Sequence, residues 1–201
     1  MNVRLQYPLK FSASIWYDGQ LRINTYNVRL WLLTNTMCPE DHNIAIDRIK
    51  YYTLGRLDSS IFINSDQVDQ IHAMHDAGLR VTTVPGEPID QMIGIMLYCK
   101  LSAIMEDKII VGEVEVYSDI SEGIVYMHNE EESLGPFEGV GWWHNPDLTQ
   151  CDTELLGEEK VMSLAKSIIW RELGLNWYEA EPKEDTGNTI IFTDFNRNET
   201  K

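Results

Sequence analysis

The chain has 201 residues, 43% of them hydrophobic, enough to bury one substantial core and too many for a disordered chain. Its net charge is −16, unevenly spread: residues 1–60 hold seven Lys/Arg against five Asp/Glu, residues 61–201 nine against 27. Such an acidic surface repels phosphate, which argues against general nucleic-acid binding and against anionic membranes; only Arg4, Lys10, Arg22 and Arg29 offer material for a local basic patch.

The first element is "KFSASIWYDGQLRINTY", which reads as a hairpin. Alternation puts Phe11, Ala13, Ile15 and Tyr17 on one face, and Asp18-Gly19 supplies the positive-φ chemistry of a tight turn. A second extended run, "NVRLWLLTNT", follows. The period then changes. "PEDHNIAIDRIKYYTLGRL" opens with Pro39 and two acids, suited to a helix start, and Ala45, Ile49 and Tyr52 share a face with Ile46 and Thr53. "SSIFIN" reads as a buried strand. "NSDQVDQIHAMHDAGL" reads as a helix capped by Asn64 or Ser65 and stopped at Gly78. "RVTTV" is the next strand, closed by Pro85-Gly86.

"PIDQMIGIMLYCKLSAIMED" is the most apolar segment, and Ile89–Glu106 is expected as one continuous helix, the most buried of all. Ile89, Met92, Ile93, Met96, Ala103 and Ile104 line one side, and Ile95, Tyr98 and Met105 the other; a helix apolar nearly all round sits centrally. "KIIVGEVEVYSD" and "EGIVYMHNE" make an antiparallel pair joined near Ser118–Glu122. A Trp-containing loop fills residues 129–150. "GEEKVMSLAKSIIWRELG" then reads as a helix, "NTIIFTDF" as a strand, and residues 195–201 as a frayed end. The expected fold is one α+β domain over residues 1–201. Its mixed sheet has antiparallel hairpins at both ends and one face covered by helices. A doubly wound α/β sheet is the alternative, because the middle alternates β-α-β-α-β. Neither GxGxxG nor GxxxxGK[ST] follows any strand.

Cys38, Cys99 and Cys151 are odd in number, far apart and in no CxxC, so buried reduced thiols are expected. No apolar run reaches the roughly 18–20 residues that span a bilayer. "MNVRLQYPLKFSASIW" lacks the apolar block of a signal peptide. A cytoplasmic location is the expectation.

Glu113 and Glu115 stand i, i+2 on a strand and so share a face, with Asp119 and Glu122 at the following turn. Paired carboxylates can hold a divalent metal or divide acid and base roles, the basis of a metal-dependent hydrolase or nuclease reading. The same Val-Glu-Val alternation suits any half-exposed strand. His72 and His75, i, i+3 on a helix, lack the further ligands that a metal needs. No GxSxG marks a nucleophile. Asp90 and Gln91, at the start of the apolar helix, are either pocket-lining or first-turn polar groups. No cofactor is expected.

"GPFEGVGWWHNPD" sets Trp142, Trp143 and His144 in a loop rich in Gly and Pro. Such a loop is either pinned to the body by tryptophan packing or a recognition loop. The second reading makes Trp142, Trp143 and His144 the partner-binding residues, one tryptophan buried as anchor and the other exposed with His144. Glu130, Glu131 and Glu132 beside them would select a basic or polar protein partner.

The segments "IAIDRIKYY…SSIFIN", "DQMIGIMLYCKLSAIMEDKI", "NEEESLGPF" and "GWWHNPD" resemble small uncharacterised proteins of large contractile-tailed phages, marine ones among them, over most of residues 28–147. That resemblance implies a phage protein acting in a bacterial host and carries no activity or functional residue with it. The leading expectation is a non-enzymatic protein-binding module. A metal-dependent enzyme using Glu113, Glu115 and Asp119, and an acidic mimic of DNA, are the alternatives.

Overall fold

Strand pairing sets the architecture of this computed structural model, which describes residues 3–34, 39–152 and 170–178. β1 (Val3–Tyr17) and β2 (Gln20–Thr34) form one long hairpin, paired from Val3↔Thr34 to Tyr17↔Gln20. Asp18 and Gly19 turn it with φ of 50° and 67°, the left-handed pair a two-residue connection requires. The two extended runs read from the sequence thus merge into a single strand, β2. Phe11, Ala13 and Ile15 are buried, as alternation requires, while Tyr17 at the turn is exposed.

The remaining elements are α1 (Pro39–Tyr52), β3 (Ile61–Asn64), α2 (Val68–Asp76), β4 (Val81–Val84), α3 (Asp90–Met105), β5 (Ile110–Ser118) and β6 (Tyr126–Asn129). They build a six-stranded sheet in the order β4-β3-β1-β2-β5-β6. β3 runs parallel to β1 and to β4; β2, β5 and β6 are antiparallel to their neighbours. The fold is therefore α+β with a mixed sheet, and the doubly wound alternative fails on these antiparallel pairs. It survives only locally, at β3-α2-β4. There Ile63, Ile71 and Val81 form a small cluster with Cys151, and Trp16 and Met74 pack on it. Phe62, the neighbour of Ile63 on the opposite side of the pleat, belongs to the main core. α2 accordingly covers the second face of the sheet at that end, a correction to the expectation of helices on one face alone.

α1 buries Ala45, Ile49 and Tyr52, the face its periodicity specified, and unwinds into a π-helical turn at Thr53–Leu57. α2 starts later than its sequence suggested. Asn64 Oδ1 accepts the Asp66 N–H (3.0 Å) to make a turn, and Gln67, not Asn64 or Ser65, precedes the helix. Gly78, with φ of 74°, ends it as expected.

α3 is continuous, and no residue from Met92 to Met105 is exposed. It packs on β5 and β6 and also meets α1 and the loop around Trp142. That sandwiching accounts for its apolar circumference. Ile89 lies just outside it and is exposed. The approach to β6 is so close that a Cβ at Gly94 would lie 2.6 Å from the Tyr126 ring. Gly94→Ala is expected to cost about 1–3 kcal/mol in urea unfolding, as for overpacked cores, and to recover part of that loss when combined with Tyr126→Val.

Residues 170–178 cross α1 and the end of α3, where Arg48 fastens them. Its guanidinium lies 4.0 Å from the Trp177 ring and 4.9 Å from the Trp170 ring. It donates to the carbonyls of Leu175 (2.8 Å) and Ile104 (3.0 Å), and Asp41 accepts the Tyr178 N–H. Trp170–Gly174 form turns; the rest of the helix read over 157–174, the strand at 188–195 and the tail 195–201 lie outside the described residues.

Candidate functional site

The tryptophan loop is built into the body. Trp142 is 2% exposed and Trp143 6%, which corrects the expectation that one of them faces solvent. The Trp142 indole N–H donates to the Thr83 carbonyl (3.1 Å), and the Trp143 indole N–H to the Phe137 carbonyl (3.0 Å). Phe137 and Trp143 meet edge to face, as do the two tryptophans. Gly141 is required here, because a Cβ would stand 2.3 Å from the Trp143 ring. Of the three expected contact residues only His144 is exposed, and its Nε2 lies 3.1 Å from the Phe137 carbonyl.

Beneath the loop sits a residue that the sequence reading passed over. Lys100 on α3 is fully buried. Its ammonium donates to the carbonyls of Asn145 (2.8 Å) and Trp142 (3.3 Å) and pairs with Asp147 at 3.5 Å. Burial lowers its pKa from 10.5 to about 8, opposed by Asp147. The signal was legible: Lys100 is the one cation in the otherwise apolar α3.

The expected carboxylates are on the sheet but do not converge. Glu113 and Glu115 lie on β5, and Asp119 is exposed at the turn beyond it. Glu115 is engaged by Arg29, with which it forms an ion pair, and by the Trp31 indole N–H at 3.0 Å. Among the described residues no group of three or more His, Cys, Asp or Glu is placed to hold a metal ion. Mg²⁺, Mn²⁺ or Zn²⁺ is expected to leave the melting temperature where EDTA leaves it. A rise of several degrees with one metal, lost in Glu113→Gln, would put a tight site there.

Other candidates are accounted for by burial. Cys99 and Cys151 are buried thiols with pKa pushed up to about 12 and about 11. Asp90 accepts the Ser118 hydroxyl (2.8 Å), and burial raises its pKa above the usual carboxylate range.

The outer face of β1, β2, β5 and β6 is different. Alternation sends Arg4, Gln6, Pro8 and Lys10 outward from β1. It does the same for Asn27, Arg29, Trp31 and Leu33 on β2, Glu113, Glu115 and Tyr117 on β5, and Met127 and Asn129 on β6. Arg29 stands opposite Glu115 in the β2–β5 register, and Trp31 opposite Glu113. The Arg4 guanidinium lies 4.5 Å from the centre of the Trp31 ring. Two shallow grooves flank this row. One, of about 410 Å³, is lined by Arg4, Trp31, Glu113, Asn129, Glu130 and Glu131. The other, of about 270 Å³, is lined by Lys10, Asn27, Arg29 and Tyr117 with Pro8. Three of the four basic residues picked out by sequence, Arg4, Lys10 and Arg29, thus gather on one face, and the acids of β5 and of the turn after β6 lie beside them.

No family model matches the chain, and no curated protein does. Among solved structures it is similar to an uncharacterized protein from Wolinella succinogenes. The TM-score is 0.49 at 12% identity, over 65% of this chain and 99% of that one. It is also similar to a catalytic-residue mutant of the 6-pyruvoyltetrahydropterin synthase of Plasmodium vivax, with a TM-score of 0.41 at 14% identity over 64% of this chain and 99% of that one. For the Plasmodium falciparum synthase the values are 0.42, 12%, 64% and 98%.

Proposed function

We propose that this acidic chain is a non-enzymatic protein-binding module, phage-encoded and acting in the cytoplasm of a bacterial host. It meets its partner through the outer face of β1, β2, β5 and β6 rather than through the tryptophan loop. The observation that carries the reading is the row in which Arg4 stacks on Trp31 while Trp31 and Arg29 both engage Glu115. Tryptophan and arginine dominate binding hot spots, and here they are held on strands before any partner arrives. Side chains already ordered lose little entropy on binding. The juxtaposed basic and acidic stripes orient an incoming surface.

The test is affinity capture from a bacterial lysate, followed by purification of the captured protein and measurement of its Kd. Trp31→Ala is expected to weaken binding by about tenfold or more. Val140→Ser, at a fully exposed loop position, is expected to leave it unchanged. If every captured protein binds Trp31→Ala as tightly as the parent chain, the outer face is not the binding surface.

A further inference from the structure

β6 ends the sheet, and its one strand partner among the described residues is β5. The opposite end is closed. On β4 the Thr83 N–H donates to the Gln150 carbonyl (3.0 Å), and the Thr83 carbonyl accepts the Trp142 indole N–H. β6 spans four residues, and on the side away from β5 its alternate residues present backbone groups with which another strand can pair, except that the Asn129 carbonyl already accepts the Glu132 N–H (3.2 Å).

We infer that the β6 edge and the groove beside it take an extended peptide segment in which arginine alternates with apolar residues. This rests on the binding-module reading and specifies the chemistry of its partner. A strand laid on β6 continues the pleat, so its side chains alternate between the two faces. Those on the outer face fall beside Met127 and Asn129, over the groove lined by Glu113, Glu130 and Glu131. None of these three glutamates has an ion pair among the described residues, whereas Glu115 has Arg29 and Glu132 faces His128. Those on the inner face fall beside Tyr126 and His128, where the half-buried Tyr98 of α3 meets the His128 ring edge to face at 4.8 Å. One face of the segment is thereby cationic and the other apolar.

The cation is arginine rather than lysine because this face already holds guanidinium groups in two ways. The Arg4 guanidinium sits over the Trp31 ring, and Arg29 pairs with Glu115. A planar fork can stack and bridge carboxylates together, which a compact ammonium cannot. A second copy of the chain is the rival occupant. Its own β6, Tyr126–Asn129, carries no Arg or Lys to set against the three glutamates of the groove.

The probe is a blocked eight-residue peptide of alternating Arg and Val, titrated calorimetrically into the full chain. Its Lys-Val and Glu-Val analogues are titrated alongside, with a copy N-methylated on alternate residues that keeps its charge and cannot pair as a strand. The Arg-Val peptide is expected to bind. Methylation, and the double variant Glu113→Gln/Glu131→Gln, are each expected to weaken it by about tenfold. Equal binding of the methylated copy would reduce the surface to a non-specific anionic patch, and equal binding of the Lys-Val peptide would remove the arginine preference. A dimer in sedimentation that the peptide disperses would give the edge to a second copy. Each of these results overturns the inference. If the peptide fails while a lysate partner still requires Trp31, this inference falls and the binding-module reading stands; the reverse pattern sinks only the latter.

Discussion

Trp142→Ala is expected to cost about 3–5 kcal/mol in equilibrium urea unfolding, the range of large aromatic truncations in cores. Three losses combine. The ring is 2% exposed and packs on Trp143, so its removal leaves a cavity. Its N–H satisfies Thr83 on β4, which would be left with a buried carbonyl lacking that donor. The glycines of residues 135–141 also lose the anchor that orders them, and glycine gives up more backbone entropy on folding than any other residue. Trp142→Phe keeps most of the volume and deletes the N–H, so about 1–3 kcal/mol is expected, the cost of an unsatisfied buried acceptor. A loss of less than about 1 kcal/mol for Trp142→Ala would mean that the loop does not plug the core.

Lys100 gives the largest expected pH effect. Its folded pKa, about 8, lies below the ordinary 10.5 because burial disfavours the ammonium. Between those two values the unfolded chain binds the extra proton, so stability rises with pH across that window. Below pH 8 the cost of burying the charge is fully present; above 10.5 both states are neutral and it is gone. The difference corresponds to about 3 kcal/mol. The measurement is unfolding free energy from pH 7 to 10.5 for the parent chain and Lys100→Met. The gap between the curves should shift by about that amount in favour of the parent as pH rises, and other titrating groups cancel in the comparison. Parallel curves would show that the ammonium is solvated. Asp147→Asn removes the charge that supports Lys100, so its destabilisation should be largest near pH 7 and shrink at high pH.

Local patterns carried much of this fold. Asp18-Gly19 marked the turn, period two marked β1, and the all-round apolarity of α3 marked a helix buried on several sides. What escaped reading depends on partners distant in sequence. Glycine beside two tryptophans left open a pinned loop or a recognition loop, with one tryptophan expected to face solvent. The space that Gly141 leaves is instead filled by the Trp143 ring, and no local spacing specifies that contact. Arg4, Trp31 and Glu115 each follow a period-two rule, yet their meeting depends on the β1–β2 and β2–β5 registers. Register is invisible without the partner strand. Lys100 is a lone cation in an apolar helix, but the partners that hold it, Trp142 and Asn145, lie 42 and 45 residues further along the chain.

The hydrogen bonds by which Gln150 and Trp142 occupy both backbone groups of Thr83 also bear on how many chains can join. Among the described residues the sheet can grow from β6 but not from β4. A template open at both ends adds copies without limit, as fibrils do. A template open at one end is exhausted by a single pairing: two copies joined edge to edge leave no further strand to extend. Self-association by this route therefore stops at a closed pair, and the tryptophan loop, by covering β4, acts as a terminator against polymerisation.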